Sequence, residues 1–93
     1  MPEIDPLLTD IKEVLRISGS DLDNEIGDLI SASICDLMLS GITNYDTEDP
    51  LIKRAVVLYC KANFGWDNPE ADRFQKSYDM LKAHLTMSSD YVV

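Results

Sequence analysis

Residues that build catalytic and metal sites are scarce in this sequence of 93 residues, which has one histidine and two cysteines. The histidine, His84, falls on the polar side of a predicted helix, and no serine or cysteine nucleophile motif accompanies it. The phosphate-binding patterns GxxxxGK(S/T) and GxGxxG are absent, as are HExxH and the spacings typical of zinc sites. We therefore expect no catalytic residues, no cofactor and no metal, and we expect that the protein is not an enzyme.

Long apolar runs and paired cysteine motifs are also missing. No run approaches the roughly 18 to 20 apolar residues that span a bilayer, and no signal-peptide pattern opens the chain, so we expect a cytosolic protein without membrane contact. Cys35 and Cys60 fall within apolar helical patterns and lack the close spacing of a metal or redox site. We interpret both as small buried hydrophobic residues and not as partners in a disulfide.

Positive charge is scarce, with 8 lysine and arginine residues against 17 aspartate and glutamate residues and a net charge of -9. This balance argues against the broad basic surface that nucleic-acid binding requires. The charge is also uneven, because residues 1–50 hold 12 acidic and 2 basic residues, whereas residues 51–93 hold 5 acidic and 6 basic residues. Such halves favour head-to-tail docking of one copy on the next, although a polarised but merely solvated surface fits the charge equally well.

The stretch SGSDLDNEIGDLI, residues 18–30, spaces its carboxylates like the start of a calcium loop. An EF-hand loop that starts at Asp21 needs glycine at its sixth position and a carboxylate at its twelfth, where this sequence has Ile26 and Ala32. A helix start explains the stretch better, since Ser20 or Asp21 can cap the backbone N–H groups and the later carboxylates favour the positive end of the helix dipole.

Glycine and proline divide the chain into four predicted helices. The pairs Asp5-Pro6, Asp49-Pro50 and Asn68-Pro69 each supply a cap and a first-turn proline for the first, third and fourth helices. The second helix runs from about Asp21 to Ser40 and ends at Gly41. The expected fold class is all-α, a compact bundle of four main helices in one domain (residues 1–85) with a flexible C-terminal tail or arm (residues 86–93).

The predicted helices differ in how much of their surface is apolar. The third has apolar residues on almost every side and leaves mainly Lys53, Arg54 and Lys61 for water, so we expect it at the centre of the bundle. The second becomes apolar almost all round near its end, and that end must be covered by something. The fourth carries one narrow stripe and packs by one face.

Two aromatic residues stand outside these stripes. Trp66, beside Phe64, either closes the end of the bundle or contacts a partner, since tryptophan is favoured at binding hot spots. Tyr45 lies in a polar loop with less core to join, and it is the better candidate for a contact.

Residue patterns along nearly the whole chain resemble a known family. DIKEVLRIS makes a short first helix, an acidic turn leads into LDNEIGDLISASICDLM, and a polar loop precedes the core helix DPLIKRAVVLYCKANFG. The last helix carries the spacing of Phe74, Tyr78, Met80, Leu81 and Leu85. In this order the chain resembles the small head-tail connector, or head-completion adaptor, family of tailed bacteriophages and prophages, also labelled DNA-packaging proteins.

The resemblance implies a structural virion protein that is made in the bacterial host cytoplasm and placed in the virion neck. Copies would form a homo-oligomeric ring beneath the portal protein, extend the DNA channel and receive the next neck or tail-completion protein. DNA would pass through this channel without sequence-specific binding. The protein would be a monomer until the portal templates the ring, and its tail would become ordered on assembly.

Halves of different charge suit such a ring, because each subunit of a cyclic ring meets its neighbours through two different surfaces. We expect the acidic face of the second helix either to contact basic residues of the neighbour's third helix or to line the channel and repel DNA phosphates. The loop Ile42 to Asp49 and the tail after Leu85 are further candidate contact regions. The expected contact residues are Glu25, Asp28, Asp36, Tyr45, Lys53, Arg54, Lys61, Tyr91, Val92 and Val93.

Two other functions are compatible with parts of the sequence. A monomeric acidic regulator or adaptor would bind a basic site on a phage or host protein, but a mimic of DNA charge should spread carboxylates over one large face. The second half of this chain is instead near neutral. A small helical DNA-binding protein ranks last, because the chain is acidic and lacks a basic helix for the groove.

Overall fold

A computed structural model of the chain describes residues 4–43, 46, 48–64 and 68–92, and it describes side chains from Leu7 onward. It contains helices α1 (Ile4–Leu15), α2 (Asp23–Leu39), α3 (Pro50–Asn63) and α4 (Ala71–Thr86). The described residues form no β-strand. This confirms the predicted all-α bundle of four helices. None of the helices in this part of the chain has the length and apolar character needed to cross a membrane.

Helix α3 lies at the centre of the bundle, as its apolar residues predict, and it packs against α1, α2 and α4. The beginning of α2 shares a buried cluster with the end of α3, where Ile26 and Ile30 lie with Cys60. The end of α2 shares a second cluster with the beginning of α3, where Leu37 lies with Ile52. These two clusters show that α2 and α3 run antiparallel.

The start of α3 confirms the predicted capping pair. The Asp49 carboxylate accepts hydrogen bonds from the backbone N–H groups of Leu51 (2.8 Å) and Ile52 (3.4 Å), and Pro50 occupies the first turn. Two N–H groups without helical partners are thereby satisfied, and proline loses nothing at a position where its missing N–H is not needed. The predicted stop at Gly65 lies outside the described residues.

The other predicted helix starts are wrong by one or two residues. Helix α1 begins at Ile4, before Asp5 and Pro6. Helix α2 begins at Asp23 after Leu22, and no side chain caps it, so neither Ser20 nor Asp21 has the expected role. The acidic first turn remains, and favours the helix dipole without a cap hydrogen bond.

Asn68 shows why the fourth start is displaced. Its side-chain oxygen accepts from the Glu70 backbone N–H (3.0 Å), and its side-chain nitrogen donates to the Lys61 carbonyl (2.7 Å). Asn68 therefore builds the turn between α3 and α4, and α4 begins after Glu70, at Ala71.

The ends of α1 and α2 use left-handed backbone conformations. Gly41 follows α2 with φ of 101°, which confirms the predicted glycine stop. Helix α1 ends instead with Arg16 at φ of 60°, before the predicted break at Ser18-Gly19. For a residue other than glycine, this left-handed conformation costs roughly 1 kcal/mol of conformational energy. The Ile17 N–H donates to the Lys12 carbonyl (2.9 Å) and closes the turn.

The two cysteines have different environments. Cys60 is fully buried in the core, and burial raises the pKa of its thiol to about 12. Cys35 is exposed on α2, so the expectation of two buried cysteines is wrong for this residue. The reason is the direction of the side chain, because an apolar run around a helix includes positions that neither α1 nor α3 covers.

The segment after α4 folds back on the bundle. The Thr43 N–H donates to the Tyr91 carbonyl (2.8 Å), and the Tyr91 hydroxyl lies 3.0 Å from both carboxylate oxygens of Asp49. Tyr91 and Val92 pack against the cluster that contains Leu85. In this structure residues 88–92 are thus held by specific contacts, unlike a free arm, and ordering of the tail on assembly stays a prediction.

Candidate functional site

One side of α2 faces outward along its whole length. Its residues recur at intervals of three and four and are all exposed. We call this set the α2 stripe: Glu25, Asp28, Ala32, Cys35 and Leu39 on the helix, together with Asp21 in the turn before it. Its first half is acidic and its second half is small or apolar. Leu39 is 87% exposed and the adjacent Met38 is 47% exposed, so the apolar end of α2 is only partly covered within one copy.

A second surface lies between α3 and α4, where the side chains leave an open groove of about 500 Å³. We call it the α3–α4 groove, and it is lined by Arg54, Leu58, Lys61, Glu70, Arg73, Phe74 and Ser77. The lining combines three basic side chains with one acidic side chain. The groove is therefore a cationic region on a protein whose net charge is -9.

Phe74 organises the cations of this groove. The Lys61 ammonium lies 5.2 Å from the centre of the Phe74 ring, and the Arg73 guanidinium lies 5.0 Å from it. Arg73 also forms an ion pair with Glu70 at 2.8 Å. Among the described residues, Arg54 and Lys61 form no ion pair with a carboxylate. Their charge is available to a partner.

Lys53 has a different role from the other two basic residues expected on α3. Its ammonium forms an ion pair with the Asp10 carboxylate and joins α3 to α1. Both side chains are partly exposed, so the pair contributes little stability, typically 0.2–1 kcal/mol. The contact nevertheless engages Lys53 within its own copy, which leaves Arg54 and Lys61 as the stronger contact candidates.

Asp36 is likewise engaged within its own copy. Its carboxylate accepts a hydrogen bond from the Tyr78 hydroxyl (2.6 Å) and an ion-pair hydrogen bond from Lys82 (2.9 Å), both on α4. Burial alone would raise the pKa of this carboxyl, but the two hydrogen bonds and the Lys82 charge together hold the pKa below its ordinary value. Burial and the bond to Asp36 raise the pKa of the Tyr78 phenol. Glu25 and Asp28 therefore remain as the outward acidic residues, and Asp36 joins α2 to α4.

The lowered pKa of Asp36 predicts a loss of stability in acid. The folded protein binds the proton less readily than the unfolded chain, so the Asp36 contribution is present above about pH 4 and is lost as the pH falls through the folded pKa. We expect Asp36→Asn to lower the free energy of unfolding at neutral pH and to weaken its dependence on pH between about 5 and 2. Urea unfolding at several pH values measures both effects.

Asp28→Asn is the matched control for this experiment, because Asp28 is an exposed carboxylate on the same helix. This variant should follow the wild-type pH profile closely. An unchanged profile for Asp36→Asn would show that the contacts with Tyr78 and Lys82 do not stabilise the carboxylate.

The remaining predicted contact residues divide into placed and undescribed ones. Tyr91 and Val92 are partly buried against the bundle. Partial burial, and to a smaller extent the hydrogen bond to Asp49, raise the pKa of the Tyr91 phenol. Their side chains therefore serve the fold of one copy. Tyr45, Val93 and the ambiguous Trp66 lie outside the described residues. His84 is exposed, as the sequence predicts.

The sequence analysis missed the α4 side of the groove. Phe74 of α4 meets Lys61 of α3, and Arg73 lies over the same ring, but no spacing along the chain shows this pairing of two helices. The one clue in the sequence was Asn68, a residue type that often forms turns. Its side chain donates to the Lys61 carbonyl and so holds the start of α4 beside the end of α3. Within the described part of the chain, no three histidine, cysteine, aspartate or glutamate side chains come together as a metal site.

Comparison with known proteins gives one family. A scan against protein-family models matches residues 7–92 to a family described as phage connector protein. No curated protein and no solved structure matches the chain. The family match includes α2, α3 and α4 entirely, so it covers both the α2 stripe and the α3–α4 groove.

Proposed function

The chain belongs to the phage connector protein family, and we propose that it is the subunit of a head-tail connector ring in the virion neck. The ring lies beneath the portal, extends the DNA channel and receives the next neck or tail-completion protein. The family match over residues 7–92 is the observation that carries this proposal. The subunit acts by assembly and not by catalysis.

The two surfaces of the bundle support a ring. A cyclic assembly with more than two members uses heterologous contacts, in which one patch of each subunit meets a different patch of the next. The α2 stripe and the α3–α4 groove are two such patches, and they differ in charge and in shape.

The charge of the chain suits passage of DNA. Carboxylates repel DNA phosphates, so a channel built from subunits of net charge -9 holds the duplex weakly and reads no sequence. The subunits are made in the host cytoplasm as monomers, and the portal brings them together. The portal and the next neck protein are thus the two partners besides neighbouring copies.

The direct test is to mix the purified protein with portal-bearing capsids of the phage that encodes it, and to image the particles by electron microscopy. We expect added density at one vertex of each capsid, because only the portal vertex offers the template. Capsids assembled without the portal protein are the control and should stay undecorated.

Capsids that remain bare at the portal vertex would overturn the proposal. A monomeric protein that instead binds a basic phage or host protein would support the acidic regulator, the competing function. Sedimentation of the mixture separates these results, since the connector moves with capsids and the regulator stays at low mass.

A further inference from the structure

We propose that the α2 stripe of one copy docks in the α3–α4 groove of the next copy, with α2 antiparallel to the neighbour's α3. In this arrangement Asp28 lies opposite Lys61, Ala32 lies opposite Leu58, and Leu39 lies opposite Leu51. The inference rests on the proposed ring and names the pair of surfaces that closes it.

Charge complementarity selects the occupant of the groove. Arg54 and Lys61 line it and form no ion pair among the described residues. An occupant therefore has to supply carboxylates on one face of a rigid element. The first half of the α2 stripe does so, since Glu25 and Asp28 lie on one face of a helix and both are exposed.

Apolar residues set the other end of the contact. Leu39 is 87% exposed at the end of the α2 stripe, and Leu51 is 45% exposed at the start of α3. On α3, Leu51, Arg54, Leu58 and Lys61 follow each other at intervals of three and four, so they form one line. The last three line the groove, and Leu51 continues the same line about one turn beyond it. Burying the two leucines against each other removes apolar surface from water, which favours the contact.

The order of residues along the two lines requires antiparallel docking. The α2 stripe runs from acidic to apolar, whereas the α3 line runs from apolar Leu51 to basic Lys61. A parallel arrangement would place Leu39 beside Lys61 and the carboxylates beside Leu51. Only the antiparallel arrangement matches charge with opposite charge and leucine with leucine.

The lengths of the two lines also agree. At 1.5 Å per residue, Asp28 to Leu39 spans about 16 Å and Leu51 to Lys61 spans about 15 Å. The small side chain of Ala32 then faces Leu58 midway, where it permits the two helices to approach. Glu25 extends past Lys61 towards Arg73 at the end of the groove.

Ring symmetry gives the same polarity. Helices α2 and α3 are antiparallel within one copy, as the two core clusters show. A rotation about the ring axis leaves the direction of a helix along that axis unchanged. For helices that run along the ring axis, the neighbour's α3 is then antiparallel to this α2.

A charge-swap experiment tests the contact. Lys61→Glu and Asp28→Lys each place like charges opposite each other, and we expect each to raise the protein concentration needed for half decoration of portal-bearing capsids by about tenfold or more. An equal mixture of the two variants restores the complementary pairs in an alternating ring. The double variant restores them in every copy. Both should decorate at nearly the wild-type concentration.

Lys76→Glu and Glu13→Lys are the matched controls, because both residues are exposed and lie outside the two surfaces. These controls should decorate like the wild type. Circular dichroism should give all variants the wild-type helix content, since every substituted residue is on the surface or partly exposed. Single variants that decorate normally, or single variants that are not rescued by their partner, would overturn the inference.

Disulfide formation between copies tests the direction of docking. In a Cys35→Ser background, Leu39→Cys with Leu51→Cys should give a ladder of linked copies when decorated capsids are treated with oxidised glutathione. Leu39→Cys with Lys61→Cys, used at a concentration that gives the same extent of decoration, reports the parallel arrangement and should give no ladder. The reverse pattern would contradict the antiparallel contact.

The outcomes separate this inference from the proposed function. Wild-type protein that leaves the portal vertex bare refutes the connector ring and the contact together. A decorated vertex whose rings tolerate the charge reversals refutes the contact alone, and the connector function stands.

Discussion

Replacing Tyr78 with alanine is expected to lower the free energy of unfolding by about 3–5 kcal/mol, the largest loss among single truncations of this bundle. Tyr78 is 1% exposed, and its ring meets the edge of Tyr59 with centroids 5.3 Å apart. Its hydroxyl donates to Asp36, and Lys82 lies over the ring at 5.1 Å. One truncation therefore removes core volume, an aromatic pair and one of the two side-chain bonds that join α4 to Asp36 of α2.

Tyr78→Phe separates these contributions. Phenylalanine keeps the ring and loses the hydrogen bond to a carboxylate, so we expect a loss of about 1–2 kcal/mol. Urea unfolding followed by circular dichroism measures both variants. An alanine variant that loses no more than the phenylalanine variant would show that the ring itself adds nothing.

Leu37→Ala should lower the free energy of unfolding by about 2–5 kcal/mol, whereas Leu39→Ala should change it by less than about 0.5 kcal/mol. The two residues have the same side chain and lie two positions apart on α2. Leu37 is fully buried and Leu39 is 87% exposed, so only the first substitution leaves a cavity. Thermal or urea unfolding of the pair gives a direct comparison.

The same pair separates folding from assembly. Leu39→Ala should fold like the wild type yet bind portal vertices more weakly, because Leu39 belongs to the surface that we propose meets the next copy. Equal destabilisation of the two variants would mean that the end of α2 is covered within one copy after all.

The helices themselves were readable from the sequence because their signals are local. Residues that recur at helical intervals predict one buried side of α2. Its members are Leu22, Ile26, Leu29, Ile30, Ser33 and Leu37. Ile26, Ile30, Ser33 and Leu37 are fully buried, whereas Leu22, before the first turn, is 39% exposed. The pair Asp49-Pro50 begins α3 because a cap needs only its own next two residues. Both kinds of signal depend on residues within about one helical turn of each other, so they can be read without knowing how the helices pack.

The start of α4 shows that local sequence signals alone do not fix where a helix begins. Asn68 has the residue type of a cap, but its side chain turns to the carbonyl of Lys61 and to the Glu70 N–H. The bond to the Lys61 carbonyl, on another helix, holds the Asn68 side chain in the turn before α4. Helix ends are therefore fixed by how the helices pack as well as by cap residues.

The candidate surfaces depended more strongly on the tertiary structure. Six residues, Glu25, Asp28, Asp36, Lys53, Arg54 and Lys61, were equivalent charges on two predicted helices. In the folded protein Asp36 is bound to Tyr78 and Lys82, and Lys53 is bound to Asp10. The other four face outward, and Arg73 and Phe74 of α4 join Arg54 and Lys61 in one groove.

The sequence by itself determined the number of helices, their apolar sides and the contrast between an acidic half and a near-neutral half. These follow from periodicity and composition, which need no knowledge of distant contacts. Only the tertiary structure decided which charges are neutralised within a copy and which are left for a partner. The reason is that an ion pair depends on a few ångströms between side chains far apart in the chain, as Asp36 and Lys82 are, and that distance exists only once the helices have packed.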